Sequence, residues 1–215
     1  GHKHWISERM PRERAVILVN AAQRMLIRRL EFAVVICKET NKTIDEALAD
    51  VDEAIDFLNF YAREEVKLPR LHAKCPFVVI APWNFPLAIP CGMTAGPLVA
   101  GNAVILKSSS KSHYVAELFV DLMHESGVPK NVLIHVKGGG ELADKLLDDE
   151  RIRGCVFTGS TKVGSHLLKK VGRRIGEVDG MRFPGKVIAE TGGKNAIVVT
   201  ATADMDEAVE GTLKS

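Results

Sequence analysis

From residue 76 onward, the chain alternates short apolar runs, rich in β-branched residues, with segments of helical period. This alternation constrains the fold most, because continuous apolar strands joined by helices form a parallel sheet covered on both faces. We predict strands at 77–81, 103–107, 132–136, 153–157, 186–189 and 196–200. The predicted helices lie at 90–100, 112–126, 141–148, 161–171 and from about 204. Ligands of such sheets bind at the carboxyl ends of the strands.

The residues before this region predict helices instead. We expect two long helices within 1–66, because one apolar face recurs at helical spacing in each. In the first helix that face comprises Leu18, Ala22, Met25 and Leu26. The second begins with the capping-box pattern Thr43-x-x-Glu46, and its stripe comprises Leu48, Val51, Ile55, Leu58 and Ala62. Residues 67–75 lose the period and predict an extended connection to Rossmann-like βα units at 76–215.

A stretch of 32 residues from Cys75 to Leu106 carries no charge and is long enough to cross a membrane. It also holds five of the nine prolines, which a continuous helix does not tolerate. We therefore predict a strand, a loop, a short buried helix and a second strand, and no membrane span.

Charge and cysteine spacing exclude further classes. Twenty-nine Lys and Arg against 27 Asp and Glu leave a net charge of +2 without a basic block, so nucleic acid is not an expected partner. The four cysteines lack metal-ligand spacing, which predicts no metal site and favours a reducing compartment. We expect a cytoplasmic protein, or a mitochondrial matrix protein if the source is eukaryotic.

Two glycine patterns resemble nucleotide motifs. The run 180–186 (GMRFPGK) lacks the hydroxyl residue after its lysine and precedes a predicted strand, so we interpret it as a surface loop. The run 138–143 (GGGELA) lies between a strand and a helix, where a dinucleotide turn belongs. An ordinary strand-to-helix turn explains the second run equally well.

Two further segments can bind a phosphate or a sugar. In 157–164 (FTGSTKVG), a strand gives way to a helix whose first amides suit a pyrophosphate, although an N-cap by Ser160 or Thr161 also explains the hydroxyls. Lys107 ends the second strand and is followed by three serines, so it can donate to ribose hydroxyls. The alternative for Lys107 is a solvated terminal lysine.

Two segments carry candidate catalytic groups. In 82–86 (PWNFP), Asn84 lies between two prolines after the first strand, where its amide can stabilise a developing oxyanion. A turn asparagine beside two core aromatics is the alternative. In 190–195 (ETGGKN), Glu190 ends a strand beside two glycines and is a candidate general base, or else a solvated glutamate.

Four of these motifs, in this order, resemble the aldehyde dehydrogenase superfamily: PWNFP, the Lys107 strand end, FTGSTKVG and ETGGKNA. ETGGKNA together with the helix EAIDFLNFYARE resembles the L-glutamate γ-semialdehyde (1-pyrroline-5-carboxylate) dehydrogenase subfamily. In some bacteria that activity is half of a bifunctional proline utilisation protein. The resemblance implies a Rossmann-like doubly wound α/β fold with NAD as cofactor, and an aldehyde oxidised to an acid in proline catabolism. It also implies a homo-oligomer.

The resemblance assigns roles residue by residue. It implies that Asn84 donates to the oxyanion, that Glu190 activates water, and that Phe85 lies near the aldehyde. It places Lys107 on the adenine ribose, and Gly159 with Ser160 on the pyrophosphate. The full set of implied cofactor contacts is Ile80, Ala81, Pro82, Trp83, Lys107, Ser110, Gly140, Gly159, Ser160, Val163, Gly164, Thr191 and Gly192.

Three positions depart from the family pattern. Ser108 stands where a proline commonly follows the lysine, which predicts a less rigid loop. Ser110 replaces a glutamate that excludes a 2′-phosphate, so NADP stays open as a cofactor. Asp144 replaces a glycine six residues after Gly138, which predicts an altered approach of the following helix.

The family's nucleophilic cysteine lies beyond the glutamate motif, and none of the four cysteines matches its position. We therefore expect that the catalytic domain is missing and that this chain alone is inactive. Two hypotheses follow: the parent protein oxidises glutamate γ-semialdehyde, or the chain is a nucleotide-binding fragment without catalysis. Another aldehyde as the substrate also stays open.

Overall fold

The computed structural model describes residues 5, 10–67, 76–152, 154–178 and 181–214. The helices are α1 (Pro11–Ile27), α2 (Arg29–Thr40), α3 (Ile44–Lys67), α4 (Ala88–Val99), α5 (His113–Glu125), α6 (Gly140–Asp148), α7 (Thr161–Val171) and α8 (Met205–Lys214). The strands are β1 (Phe77–Ile80), β2 (Val104–Ser108), β3 (Leu133–Lys137), β4 (Gly154–Gly159), β5 (Ile175–Val178), β6 (Met181–Pro184) and β7 (Lys186–Thr191).

Five strands form one parallel sheet in the order β3-β2-β1-β4-β7. The predicted parallel α/β sheet is thus confirmed. The chain reverses its direction of progress across the sheet between β1 and β4, which makes that point the topological switch point. One row of paired residues marks the carboxyl edge: Val136, Lys107, Ile80, Phe157 and Ala189.

Helices cover both faces of this sheet. A large apolar core joins α1 to α5 to one face of β1 and β2, through residues such as Phe32, Leu58 and Phe119. A smaller core packs α6 and α7 on the opposite face, around Cys155 and Leu167. Because both faces are buried, β1 is apolar at every position, as the continuous apolar run predicts.

The N-terminal region is helical, as predicted, but its first helical stretch is divided at Arg28 into α1 and α2. The buried face of α1 is centred on Leu18, Ala21 and Met25, and Leu26 lies beyond its edge, 58% exposed, although we predicted it on the buried face. The capping box of α3 is confirmed: Thr43 N–H donates to Glu46 Oε2 at 2.8 Å, and Glu46 N–H donates to Thr43 Oγ1 at 3.3 Å. Apart from Lys67, which ends α3, the predicted extended connection lies outside the described residues.

The uncharged stretch folds as predicted, into β1, a loop, the buried helix α4 and β2. Within the described ranges, no helix has the length and apolarity needed to cross a membrane.

Two local predictions are wrong. Residues 196–200 form no strand, and Val198 is 82% exposed, because high β-propensity alone does not make a strand where no neighbouring strand pairs with it. Residues 181–184, which we interpreted as part of a surface loop, form β6, paired antiparallel with β5.

Candidate active site

The candidate residues gather at one edge of the sheet. The loops or turns that follow β1, β2, β3, β4 and β7 all leave from the same carboxyl edge. Asn84 follows β1 and Glu190 lies in β7, with β4 between those two strands. Neighbouring strands are about 5 Å apart, so the two strands that bear Asn84 and Glu190 are separated by about 10 Å.

Lys107 is buried at this edge and is not a solvated lysine. It is 7% exposed, and its Nζ donates to the carbonyl oxygens of Ser108 at 3.1 Å and Gly138 at 3.0 Å. Burial lowers the pKa of Lys107. The ammonium therefore joins the end of β2 to the glycine turn before α6.

The lower rigidity of the loop after Lys107 stays a prediction, but the structure places Ser108 itself in the sheet. It lies within β2, paired with Lys137, and is 1% exposed. Its Oγ lies 2.8 Å from Nε2 of His135 on β3. The sheet pairing and this hydrogen bond hold the position that a proline holds elsewhere in the family.

The start of α7 keeps free donors. Ser160 Oγ accepts the Val163 N–H at 3.4 Å, so the N-cap alternative is confirmed for that hydroxyl. Helix geometry leaves the first-turn amides of Thr161 and Lys162 without an intrahelical acceptor. Gly159 packs closely against Phe157, since a Cβ there would meet that ring at 2.6 Å.

The glycines we assigned to the cofactor divide into two kinds. A Cβ at Gly164 would lie 2.9 Å from Thr191 Cγ2, so Gly164 packs α7 closely against β7. Nothing lies within 4 Å of a Cβ built at Gly140 or Gly192, so both face open space. The structure therefore gives Gly164 a packing contact and leaves room for a ligand beside the other two.

We expect Gly164→Val to destabilise the chain by about 1–3 kcal/mol, because the added methyl groups force α7 away from β7. Urea unfolding followed by circular dichroism measures the change. Gly211→Val is the matched control, because Gly211 also lies in a helix but faces open space. Equal unfolding midpoints for Gly164→Val and the wild type would contradict the packing role.

The loop after β1 presents its aromatics to solvent. Trp83 is 48% exposed and Phe85 is 41% exposed, so the alternative of a turn asparagine between core aromatics is wrong. A lysine ammonium covers each ring: Lys111 Nζ lies 4.9 Å from the Trp83 ring centroid, and Lys42 Nζ lies 4.0 Å from that of Phe85. Asn84 is exposed between them.

The remaining contacts that we predicted on β1 and α7 differ in exposure. Ile80 is 7% exposed and packs in the core beneath α6 and α7. Ala81 is equally buried, and its N–H donates to the Lys107 carbonyl at 3.2 Å. Pro82 is half-buried, whereas Ser110 and Val163 are exposed.

Glu190 faces a cleft of about 520 Å³ between α3, α4, β4 and β7. Along β7, Lys186, Ile188 and Glu190 line this cleft, while Val187 and Ala189 pack against α7. Glu190 is exposed and pairs in register with Thr158. The pKa of Tyr61, on the opposite wall, is raised. The burial of Tyr61 is the larger cause, and the negative charge of Glu190 adds to it.

The sequence analysis missed the aromatic wall of this cleft. Phe57 and Tyr61, four residues apart on α3, pack over Gly92 and Gly96, four residues apart on α4. A Cβ at either glycine would lie 3.1 Å from the facing ring. Matching i, i+4 spacing of two aromatics and two glycines is the signal that could have found this contact.

Asp144 has a partner that explains its departure from the family glycine. Its Oδ1 accepts from His166 Nε2 at 2.8 Å and from Lys170 Nζ at 3.2 Å, both on α7. The His166 hydrogen bond is the main reason that the pKa of Asp144 is lowered. The carboxylate thus ties α6 to α7.

The described cysteines are poorly suited to nucleophilic attack. Cys91 and Cys155 are buried, and burial raises the pKa of Cys91 far above its usual value and that of Cys155 to about 12. Cys37 is half-buried on α2, far along the chain from the candidate loops, and Cys75 lies outside the described residues. Attack requires a thiolate, which a raised pKa suppresses.

Within the ranges that the structure describes, no three His, Cys, Asp or Glu side chains form a metal cluster.

Comparison with known proteins gives consistent results. The 1-pyrroline-5-carboxylate dehydrogenase 2 of Bacillus subtilis is 37% identical over 95% of this chain and 42% of its own length. A 1-pyrroline-5-carboxylate dehydrogenase of Anoxybacillus flavithermus is 39% identical over 98% of this chain and 44% of its own. This chain therefore spans less than half the length of these curated relatives.

Solved structures agree with these relatives. The crystal structure of 1-pyrroline-5-carboxylate dehydrogenase from Thermus with bound NAD superposes with a TM-score of 0.88 at 36% identity, over 99% of this chain and 44% of that one. Proline utilization A from Bdellovibrio bacteriovorus gives a TM-score of 0.88 at 32% identity, over 98% of this chain and 23% of that one. The model of the aldehyde dehydrogenase family matches residues 2–215. The chain, with this sheet and these motifs at its carboxyl edge, belongs to the aldehyde dehydrogenase family.

Proposed function

We propose that this chain supplies the NAD site, the general base and one oxyanion donor of an enzyme that oxidises L-glutamate γ-semialdehyde (1-pyrroline-5-carboxylate) to L-glutamate. The observation that carries the proposal is the alignment of Lys107, the α7 N-terminus, the Asn84 loop and Glu190 along one edge of the sheet. The names of the relatives support the choice of substrate.

The residues at the switch point suit a dinucleotide. Two N–H groups of the Lys107 ammonium are bound to carbonyls, which leaves the third for a ribose hydroxyl. The first-turn amides of α7 offer donors and a positive dipole end to a pyrophosphate. The exposed side chains of Trp83 and Val163 supply apolar surface beside this path.

The chemistry assigns one role to each catalytic residue. A thiolate that adds to the aldehyde carbon leaves a negative oxygen, and the Asn84 side-chain N–H donates to it. Bound NAD accepts the hydride that converts this adduct to a thioester. Glu190 then takes a proton from water, which attacks the thioester and releases the acid. Because burial keeps Cys91 and Cys155 protonated, we propose that the thiol comes from outside this chain.

NADH formation tests the proposal in the complete protein that contains this chain. Glutamate γ-semialdehyde should give NADH at a rate well above that of an aliphatic aldehyde of equal length without the amino acid group. A preference for the aliphatic aldehyde would overturn the substrate, and no NADH from either would overturn the activity. The second outcome would favour a nucleotide-binding fragment.

Ser110→Glu should abolish NADP binding and preserve NAD binding. The exposed Ser110 lies in the turn after β2, three residues beyond Lys107. A carboxylate there would accept from a 2′-hydroxyl but repel a 2′-phosphate of about −2 charge. Calorimetric titration with each dinucleotide measures both effects. Asn59→Glu adds the same charge on an exposed face of α3 and controls for net charge. Unchanged NADP affinity in Ser110→Glu would contradict the placement of Ser110 at the ribose.

A further inference from the structure

The loop that carries Asn84 ends at α4, whose N-terminus is capped from another helix. Leu87 precedes α4 and offers no side-chain acceptor. Instead, Asp50 Oδ1 on α3 accepts the Ala88 N–H at 2.7 Å. The Asp50 side chain has no exposed surface. A buried carboxylate, 38 residues upstream, thus fixes the point where the loop enters its helix.

Lys42 connects this carboxylate to the loop itself. Its Nζ lies 3.3 Å from Asp50 Oδ2 and 4.0 Å from the centroid of the Phe85 ring. The lysine side chain is only 15% exposed. One ammonium therefore holds both the cap of α4 and the residue next to Asn84, by an ion pair on one side and a cation–π contact on the other.

The partners of Asp50 favour its charged form. Burial raises the pKa of Asp50, whereas the Ala88 amide and the Lys42 ammonium oppose the rise. Both partners thus favour the ionised carboxylate, which accepts stronger hydrogen bonds than a neutral acid.

We infer that Asp50 and Lys42 are positioning residues that hold Asn84 in place as an oxyanion donor. The inference rests on the proposed function of Asn84. The three residues at the centre of the loop, 83–85, are exposed, so the loop has little core packing of its own there. An oxyanion donor is effective only if it is fixed before the charge develops, and a shift of about 1 Å is costly. The Asp50–Lys42–Phe85 connection supplies that constraint.

Lys42→Met in the complete protein should lower kcat about three- to thirty-fold, the range expected for loss of a partly buried cation–π contact. The KM for NAD should not change, because Lys42 contacts the oxyanion loop and not the proposed cofactor path. Lys42→Arg should restore most of the rate, since a guanidinium keeps both contacts. Lys38→Met, an exposed lysine on α2, is the control and should leave kcat unchanged.

A double-mutant cycle separates positioning from general stability. In an Asn84→Ala background, Lys42→Met should cause almost no further loss of kcat, because the group it positions is gone. Multiplicative losses would overturn the positioning role while leaving Asn84 as the donor. An unchanged kcat in Asn84→Ala alone would instead overturn the proposed function of Asn84.

Asp50 gives a second, independent comparison. Asp50→Asn keeps an oxygen for the Ala88 N–H and should cost less kcat than Asp50→Ala, which removes the cap. Equal kcat in the two variants and the wild type would contradict the role of Asp50. If Asp50→Ala does not fold, Asp50→Asn is compared with Lys42→Met instead. The positioning role predicts that each of these two variants loses kcat while its KM for NAD stays constant.

Discussion

Asn84→Ala is expected to lower kcat of the complete protein by about 10²- to 10³-fold, with little change in the KM for NAD. The reason is that the amide would donate to an oxygen whose charge exists only after the thiolate has added. Such an interaction stabilises the transition state more than the bound aldehyde, so its loss appears in kcat. Steady-state rates at saturating NAD measure the effect.

The control for Asn84 is Asn20→Ala, an exposed asparagine on α1 far from the carboxyl edge, which should keep the wild-type rate. A kcat for Asn84→Ala within twofold of wild type would contradict the oxyanion role. A rise in the KM for NAD at constant kcat would instead indicate that Asn84 contacts the cofactor.

Arg14→Ala is expected to cost about 3–5 kcal/mol of stability, because it leaves a buried carboxylate without its partner. Arg14 NH2 lies 3.0 Å from Glu65 Oε1, and both side chains are 5% exposed. Arg14 Nε also donates to the Val99 carbonyl at the end of α4, at 2.6 Å. One side chain therefore links α1, α3 and α4. Urea unfolding at pH 7 measures the loss.

Two variants test the cause of that loss. The double change Arg14→Met with Glu65→Leu removes both charges and should recover most of the stability. Arg29→Ala removes an arginine from an exposed pair with Asp52 and should have little effect. If Arg14→Ala were no more destabilised than Arg29→Ala, the buried pair would not be the link between these helices.

The loss in Arg14→Ala should also depend on pH. Burial raises the pKa of Glu65, and Arg14 opposes that rise, so removing Arg14 raises the pKa further. A carboxyl whose pKa is raised in the folded state loses stability as the pH rises above its unfolded pKa of about 4.3. The deficit of Arg14→Ala against wild type should therefore be smaller at pH 4.5 than at pH 7.

Local patterns predicted the architecture well, since period and chain order determine which segments are strands and which edge they share. Lys107, Asn84 and Glu190 were placed at the carboxyl edge because each directly follows or ends a predicted strand. The run 196–200 was mispredicted, because β-propensity carries no information about whether a neighbouring strand is available.

The contacts that complete the site were not predictable from local sequence. The cap of α4 by Asp50 joins residues 38 apart, and the Lys107 bond to Gly138 joins residues 31 apart. The aromatic wall of Phe57 and Tyr61 depends on two glycines in another helix. Such contacts arise from the packing of whole elements, which periodicity within one element does not encode.

Calorimetric titration of NAD into this 215-residue chain tests the central claim most directly. The account predicts one saturable site, and binding about 10- to 100-fold weaker in Lys107→Met, because the charged donor to the ribose is lost. Lys169→Met, an exposed lysine on α7, should bind as the wild type does. No saturable heat from a folded wild-type chain, or equal affinity in Lys107→Met, would contradict the dinucleotide site.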